Sequence, residues 1–168
     1  MSNPFNTDLD RNPANFQPLT PLTFLERAAT VMPEHVAIIH GAQRISYAQF
    51  YRRSRQLASA LVSEGIERGD AVSVLMPNVP PMLEAHHGVP MSGAVLHAIN
   101  TRLDAQTIAF QLDHASARIL IVDRAFVPLA EAALALTAVT PLFIVYNDPE
   151  FASKEIGKLS WVDYSAFV

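Results

Sequence analysis

Residues 71–123 read AVSVLMPNVPPMLEAHHGVPMSGAVLHAINTRLDAQTIAFQLDHASARILIVD, and this stretch decides the fold class. It holds three short apolar runs, Ala71–Met76, Ala94–Ile99 and Arg118–Val122. Two longer segments of helical character separate them. Apolar runs of about four to eight residues alternating with helical segments of about 10–15 signal βαβ units and a parallel sheet. Each crossover is right-handed, so the two helices share one face of the sheet unless the strand order reverses between them. The expected class is α/β, a mostly parallel sheet flanked by helices.

Outward from that stretch the pattern continues on both sides. Thr23-Phe24-Leu25-Glu26 has the form of a capping box and predicts a short helix to about Val31, stopped by Pro33. Val36–His40 and Arg44–Tyr47 read as the strands of a hairpin joined at Gly41-Ala42-Gln43. Ser46-Tyr47-Ala48-Gln49 is a second capping box. The helix it opens sets Phe50, Leu57, Ala58 and Leu61 on one side. Gly65 is placed as its C-cap. Pro80-Pro81 opens the next helix, which reaches about Ser92 with Pro90 near its end. Asp104 caps a helix ending near Ala115. A further helix over about Phe126–Ala138 leads to Leu142–Tyr146, expected as the last strand of the sheet. Residues 1–20, polar and without periodicity, read as an extended arm, and residues 21–168 as one α/β subdomain.

The chain has 168 residues, half of them hydrophobic and 17% charged, enough apolar material for a core. Its formal net charge of −4 gives no global field to draw nucleic acid or an anionic membrane. There are no cysteines, which excludes disulfides, thiolate catalysis and Cys-ligated zinc. The N-terminus lacks the apolar core of a signal peptide, and the most apolar tract, Ala132–Tyr146, is too short to span a bilayer. A cytoplasmic, soluble protein is the expectation.

Candidate sites are few. Adjacent His86 and His87 point about 100° apart on a helix and do not share a metal easily. Glu84 and His87, one turn apart, are placed to pair, and no metal site is expected. Gly88 and Gly93 have the spacing of Walker-loop glycines, but Ala94 and Val95 stand where Lys and Ser/Thr must be, so Gly93 reads as a helix-to-strand turn. No G-x-G-x-x-G and no G-x-S-x-G occurs. Arg52, Arg53 and Arg55 read either as a solvated face or as a phosphate-binding patch. Beyond the carboxyl end of the second organising strand, Asn100, Thr101 and Arg102 offer an amide, a hydroxyl and a guanidinium in sequence. They line a polar channel there, or they shape the turn.

The run from Gly69 to Asp123 resembles the N-terminal region of AMP-forming acyl-CoA synthetases. So do PLTPLTFLERAATVMPEHVAIIHG at residues 18–41 and RISYAQF at residues 44–50. The likeness covers nearly everything from Asn15 onward and is nearest to the branch acting on medium- and long-chain fatty acids or methylmercaptopropionate. It implies a full-length enzyme that uses ATP and Mg2+ to make an acyl-adenylate from a carboxylic acid and then passes the acyl group to coenzyme A. That places the protein in fatty acid metabolism. The family's phosphate-binding loop and catalytic lysine lie further along than Val168, so no catalytic residue is carried over. The chain alone is expected to bind none of these cofactors and to be inactive, an N-terminal portion of the ligase. The alternative is a stand-alone α/β binding or interaction module derived from such an enzyme. A homodimer is compatible with either.

Overall fold

The computed structural model describes residues 20–151 and 157–168, with Asn12, Phe16 and Ser153. Apart from Asn12, Phe16 and Thr20, the arm expected over residues 1–20 lies outside the described residues. Helix α1 (Pro21–Val31) begins earlier than its sequence suggests. Thr20, not Thr23, is the N-cap, and its hydroxyl accepts from Leu22 N–H. Pro21 explains the choice, because proline suits the first helical position and needs no N–H partner there. Thr23 lies inside the helix, where its hydroxyl donates to the Thr20 carbonyl.

Strands β1 (Val36–His40) and β2 (Gln43–Ser46) form the expected antiparallel hairpin, one residue tighter than read from the sequence. Helix α2 (Tyr47–Ser63) opens with the full capping box: Ser46 Oγ accepts from Gln49 N–H, and Gln49 Oε1 accepts from Ser46 N–H. It closes at Gly65, where φ is +77°. There Gly65 N–H donates to the Val62 carbonyl and Ile66 N–H to the Leu61 carbonyl, the Schellman pattern that a left-handed glycine permits.

The main sheet follows. Strand β3 (Ala71–Leu75) leads through α3 (Pro80–Met91) to β4 (Val95–Ala98), and α4 (Ala105–His114) leads on to β5 (Ile119–Asp123). A 3-10 turn at Arg124–Phe126 and α5 (Val127–Leu134) precede β6 (Leu142–Tyr146). Helix α5 is shorter than the expected Phe126–Ala138. The Asp113 carboxylate accepts from Ala138 and Val139 N–H, which holds that segment outside the helix. Strand β6 is not the last strand: β7 (Val162–Asp163) pairs with it, followed by the single turn α6 (Tyr164–Phe167). The order is β4-β3-β5-β6-β7, and every neighbouring pair is parallel.

The strand order reverses after β4. From β3 the chain steps outward to β4, then crosses back over β3 to β5. The right-handed rule therefore sends α3 and α4 to opposite faces. The cores agree. On one face Val72, Val74, Ile121 and Ile144 pack with Leu57 and Leu61 of α2 and Ala85 and Val89 of α3. On the other, Leu75, Leu120, Val122 and Phe143 pack with Ile108 and Leu112 of α4 and Ala130 of α5. Burial on both faces is why β3 and β5 read as continuous rather than alternating apolar runs. Helices α2 and α3 meet so closely at Gly88 that a Cβ there would lie 2.7 Å from the Ser54 carbonyl oxygen. A third cluster, built on Leu25, Ile38 and Phe50, seats α1 and the hairpin. Among the described residues no helix is long and apolar enough to cross a membrane.

Candidate functional site

In an open parallel sheet, ligands gather beyond the carboxyl ends of the strands, near the point where strand order reverses. Here those ends carry Pro77-Asn78 after β3, Asn100 after β4, Asp123 at the end of β5, Tyr146-Asn147-Asp148 after β6 and Tyr164 after β7. Among the described residues, three of the five that are polar or charged and buried, Glu84, Asp123 and Asp148, belong to this end or to the helix above it.

Two polar groupings form there. In the first, Glu84 of α3 accepts a forked pair from Arg53 of α2, Nε at 3.0 Å and a terminal nitrogen at 3.3 Å. The same carboxylate accepts from the Tyr164 hydroxyl at 2.7 Å. The guanidinium also lies 5.8 Å from the centre of the Tyr164 ring. Burial works against the Arg53 charge, but the Glu84 hydrogen bond and charge outweigh it and hold its pKa above the ordinary arginine value. Burial first, then the Glu84 charge, pushes the Tyr164 phenol far up, so it stays a neutral donor.

The second grouping fastens the hairpin to the sheet. His40 Nε2 lies 2.7 Å from Asp148 Oδ2, and Asp148 Oδ1 accepts from Glu150 N–H. Glu150 Oε2 in turn accepts from Ala42 N–H in the hairpin turn. Asp123, beside Tyr146 in the register of β5 and β6, accepts from Ala125 N–H. Burial raises its pKa, the Ala125 hydrogen bond opposes the rise, and the Asp148 charge adds to it. Tyr146 is raised as well, by burial and then by Asp148 and Asp123.

Between these groupings opens a cleft of about 560 Å³. Its walls come from β2, the first turns of α2 and α3, and the loop after β6.

The residues singled out from sequence fall in several places. Asn100, Thr101 and Arg102 follow edge strand β4. Asn100 Oδ1 accepts from Arg102 N–H at 2.9 Å, a side-chain-closed turn, and Asn100 and Arg102 are exposed. Glu84 and His87 do not pair. Glu84 is taken by Arg53 and Tyr164, while His87 Nδ1 sits 3.1 Å from the Leu83 carbonyl and its ring meets Phe50 edge-on. His86 Nδ1 lies 2.7 Å from the Met82 carbonyl. The arginine trio is split: Arg53 is ion-paired and half-buried, Arg52 is exposed at the cleft, and Arg55 covers the Tyr51 ring. Gly93, with φ +86°, is the expected helix-to-strand turn. The pairs Arg53–Glu84 and His40–Asp148 were not anticipated. A signal for the first was present: Arg53 stands three residues after Phe50 and four before Leu57, on the buried stripe of α2, and Glu84 is the one acid of an otherwise apolar turn.

The family described as AMP-binding enzyme matches residues 25–164. An acetate–CoA ligase of Humulus lupulus is 44% identical over 171 aligned residues, covering 96% of this chain and 30% of the relative. A peroxisomal acetate/butyrate–CoA ligase of Arabidopsis thaliana is 42% identical over 96% of this chain and 30% of its own length. A peroxisomal benzoate–CoA ligase from the same plant is 46% identical over 88% of this chain and 27% of its own. The chain thus spans under a third of the length of these relatives. Two solved structures share the fold. An anthranilate CoA ligase in complex with anthranoyl-AMP has a TM-score of 0.77 at 21% identity, over 87% of this chain and 27% of that one. A benzoate CoA ligase from Burkholderia xenovorans has a TM-score of 0.69 at 24% identity, over 78% and 26%. The family match covers residues 25–164, most of the chain, and the chain belongs to the AMP-binding enzyme family.

Proposed function

We propose that this chain is the N-terminal part of an ATP-dependent, AMP-forming carboxylic acid–CoA ligase. In that reaction a substrate carboxylate attacks the α-phosphorus of ATP and releases pyrophosphate. The coenzyme A thiol then takes the acyl group and releases AMP. The observation that carries the reading is the relationship itself: proteins 42–46% identical over nearly the whole of this chain are named as acid–CoA ligases.

The described residues do not themselves fit magnesium. Among them no group of three or more His, Asp or Glu is arranged to hold a metal, and the sequence has no glycine-rich phosphate loop. No reaction step is assigned to them. Their part in the proposal is scaffolding, with α2, α3 and the hairpin locked over the strand ends by the Arg53–Glu84–Tyr164 and His40–Asp148 groupings. Asn100, Thr101 and Arg102 belong in this reading to the wall of a substrate channel. What supports that role is their place beyond the carboxyl end of a parallel strand.

The acids in the relatives' names run from acetate and butyrate to benzoate, so the fatty-acid or methylmercaptopropionate branch is one option among short-chain and aromatic acids. The natural full-length protein, given ATP, magnesium, coenzyme A and a panel of these acids, should release AMP and form a thioester with at least one of them. Failure to form AMP with every member of the panel sinks the reading. The 168-residue chain alone is expected to show no acid-dependent exchange between ATP and pyrophosphate.

A further inference from the structure

The cleft between β2, α2 and α3 has a composition that scaffolding does not explain. Three guanidinium groups, Arg44, Arg52 and Arg53, line it against one carboxylate, Glu84. That carboxylate is already consumed by Arg53 and Tyr164. Among the described residues Arg44 and Arg52 form no ion pair with a carboxylate; Arg44 only donates to the Gly41 and Gln43 carbonyls. The neighbouring acids are engaged elsewhere, Asp148 on His40 and Glu150 on Ala42 N–H.

The rest of the wall fits an organic ligand. At about 560 Å³ the cleft lies within the range of small-molecule sites, about 300–1,000 Å³, and is larger than an inorganic ion needs. Ile45, Pro80 and Pro81 give it an apolar side. The two prolines also begin the 12-residue helix α3, whose N-terminal dipole end favours an anion. They offer no N–H donors of their own, so direct bonds must come from the arginines.

We propose that this cleft binds a small phosphate monoester, the phosphate held by Arg44 and Arg52, the organic part against Ile45 and the proline pair. A phosphate monoester carries about two negative charges near neutral pH, which matches two guanidiniums without a carboxylate partner better than the single charge of a carboxylate does. This inference does not rest on the ligase reading.

The test uses the isotope-labelled chain and amide chemical shifts, with phenyl phosphate, inorganic phosphate and benzoate as probes. Phenyl phosphate should give saturable shifts at Gln43, Arg52 and Asn147. Inorganic phosphate should bind more weakly, and benzoate more weakly still. Arg52→Gln, at an exposed position that folding tolerates, should weaken phenyl phosphate about tenfold, the usual effect of losing one charge-assisted hydrogen bond. Arg44→Gln should weaken it as well, and Arg55→Gln, which lies outside the cleft, should not. Any of three results overturns the proposal: no saturable shift with phenyl phosphate, benzoate or inorganic phosphate binding as tightly as phenyl phosphate, or equal weakening by Arg52→Gln and Arg55→Gln.

Discussion

Replacing Glu84 by alanine tests the packing at the strand ends most directly. The carboxylate is buried, and it accepts two bonds from Arg53 and one from Tyr164. Its removal has unequal consequences for the two donors. Tyr164 is fully buried, so its hydroxyl is left with a donor and no acceptor, at a cost of about 1–3 kcal/mol. The Arg53 side chain keeps 32% of its exposure, so its guanidinium turns toward water. Its share is that of a partly exposed pair, about 0.2–1 kcal/mol. Lost methylene contacts add about 1 kcal/mol, and the better helix propensity of alanine returns a few tenths. The expected loss is therefore about 2–4 kcal/mol.

Tyr164→Phe separates these contributions. It removes the buried hydroxyl together with its need for an acceptor and leaves the Arg53–Glu84 fork intact, so it should cost only about 1 kcal/mol. In the Tyr164→Phe background, Glu84→Ala no longer orphans a donor and should cost about 1–2 kcal/mol less than in the parent. Urea unfolding followed by far-UV circular dichroism gives all four corners of the cycle, with an unchanged slope as the control for two-state behaviour. For a chain of this size each kcal/mol also lowers the melting temperature by about 2–4 °C. If Glu84→Ala costs the same in both backgrounds, Tyr164 is not bound to Glu84 in solution, and the account of how α6 docks fails.

Two further outcomes follow from single positions. Asp123 has a raised pKa, chiefly through burial, so the folded state holds its proton more tightly than the unfolded chain. Its contribution to stability therefore falls as pH rises from the ordinary carboxylate range, near about 4, through the raised value, and the penalty is complete above it. Asp123→Asn keeps the acceptor for Ala125 N–H and abolishes the charge, so at neutral pH the variant should melt at the same temperature or higher, with any advantage vanishing below about pH 4. A variant that melts lower at neutral pH contradicts this. Gly88→Ala, normally a gain of about 1 kcal/mol in a helix, should instead lower the unfolding free energy measured in urea by about 1–2 kcal/mol. The new Cβ meets the Ser54 carbonyl at 2.7 Å and Leu57 Cδ2 at 2.9 Å, and the carbonyl is fixed by α2; a stabilised variant would show that the helices move apart freely.

The parallel scaffold was legible because strands buried on both faces leave an unmistakable trace, mostly apolar runs such as Val72–Leu75, broken only by Ser73, and Ile119–Val122. The same property hid the strand order. A run with no polar side carries no mark of which helix covers which face, so the reversal that puts α3 and α4 on opposite sides appears only with the pairing. Local chemistry was legible where one side chain decides, as at Ser46, Asp104 and Gly65. It misled where two hydroxyls competed for one cap, Thr20 against Thr23, although Pro21 carried the answer. Strand β7 has two residues and no pattern to read, and α5 ends early because of a carboxylate on another helix.

The candidate site was the least legible part, for a reason that lies in its construction. Arg53 and Glu84 are 31 residues apart, Glu84 and Tyr164 are 80, and His40 and Asp148 are 108. Each member looks misplaced alone: an arginine on a buried helix stripe, an acid in an apolar helix, a tyrosine hydroxyl in a core. Together they satisfy one another, and a buried polar group is tolerable only when its partners arrive with it. Such residues therefore tie the hairpin, α2, α3 and α6 to one relative arrangement, because any slip of one element strands a charge or a hydroxyl in the interior. Apolar packing alone would not be so exacting, since Leu57 or Val89 loses little by sliding past a similar neighbour. The polar groupings are thus what fixes the walls of the cleft, and Arg44 and Arg52, left over once every carboxylate nearby has a partner, are what gives the cleft its charge.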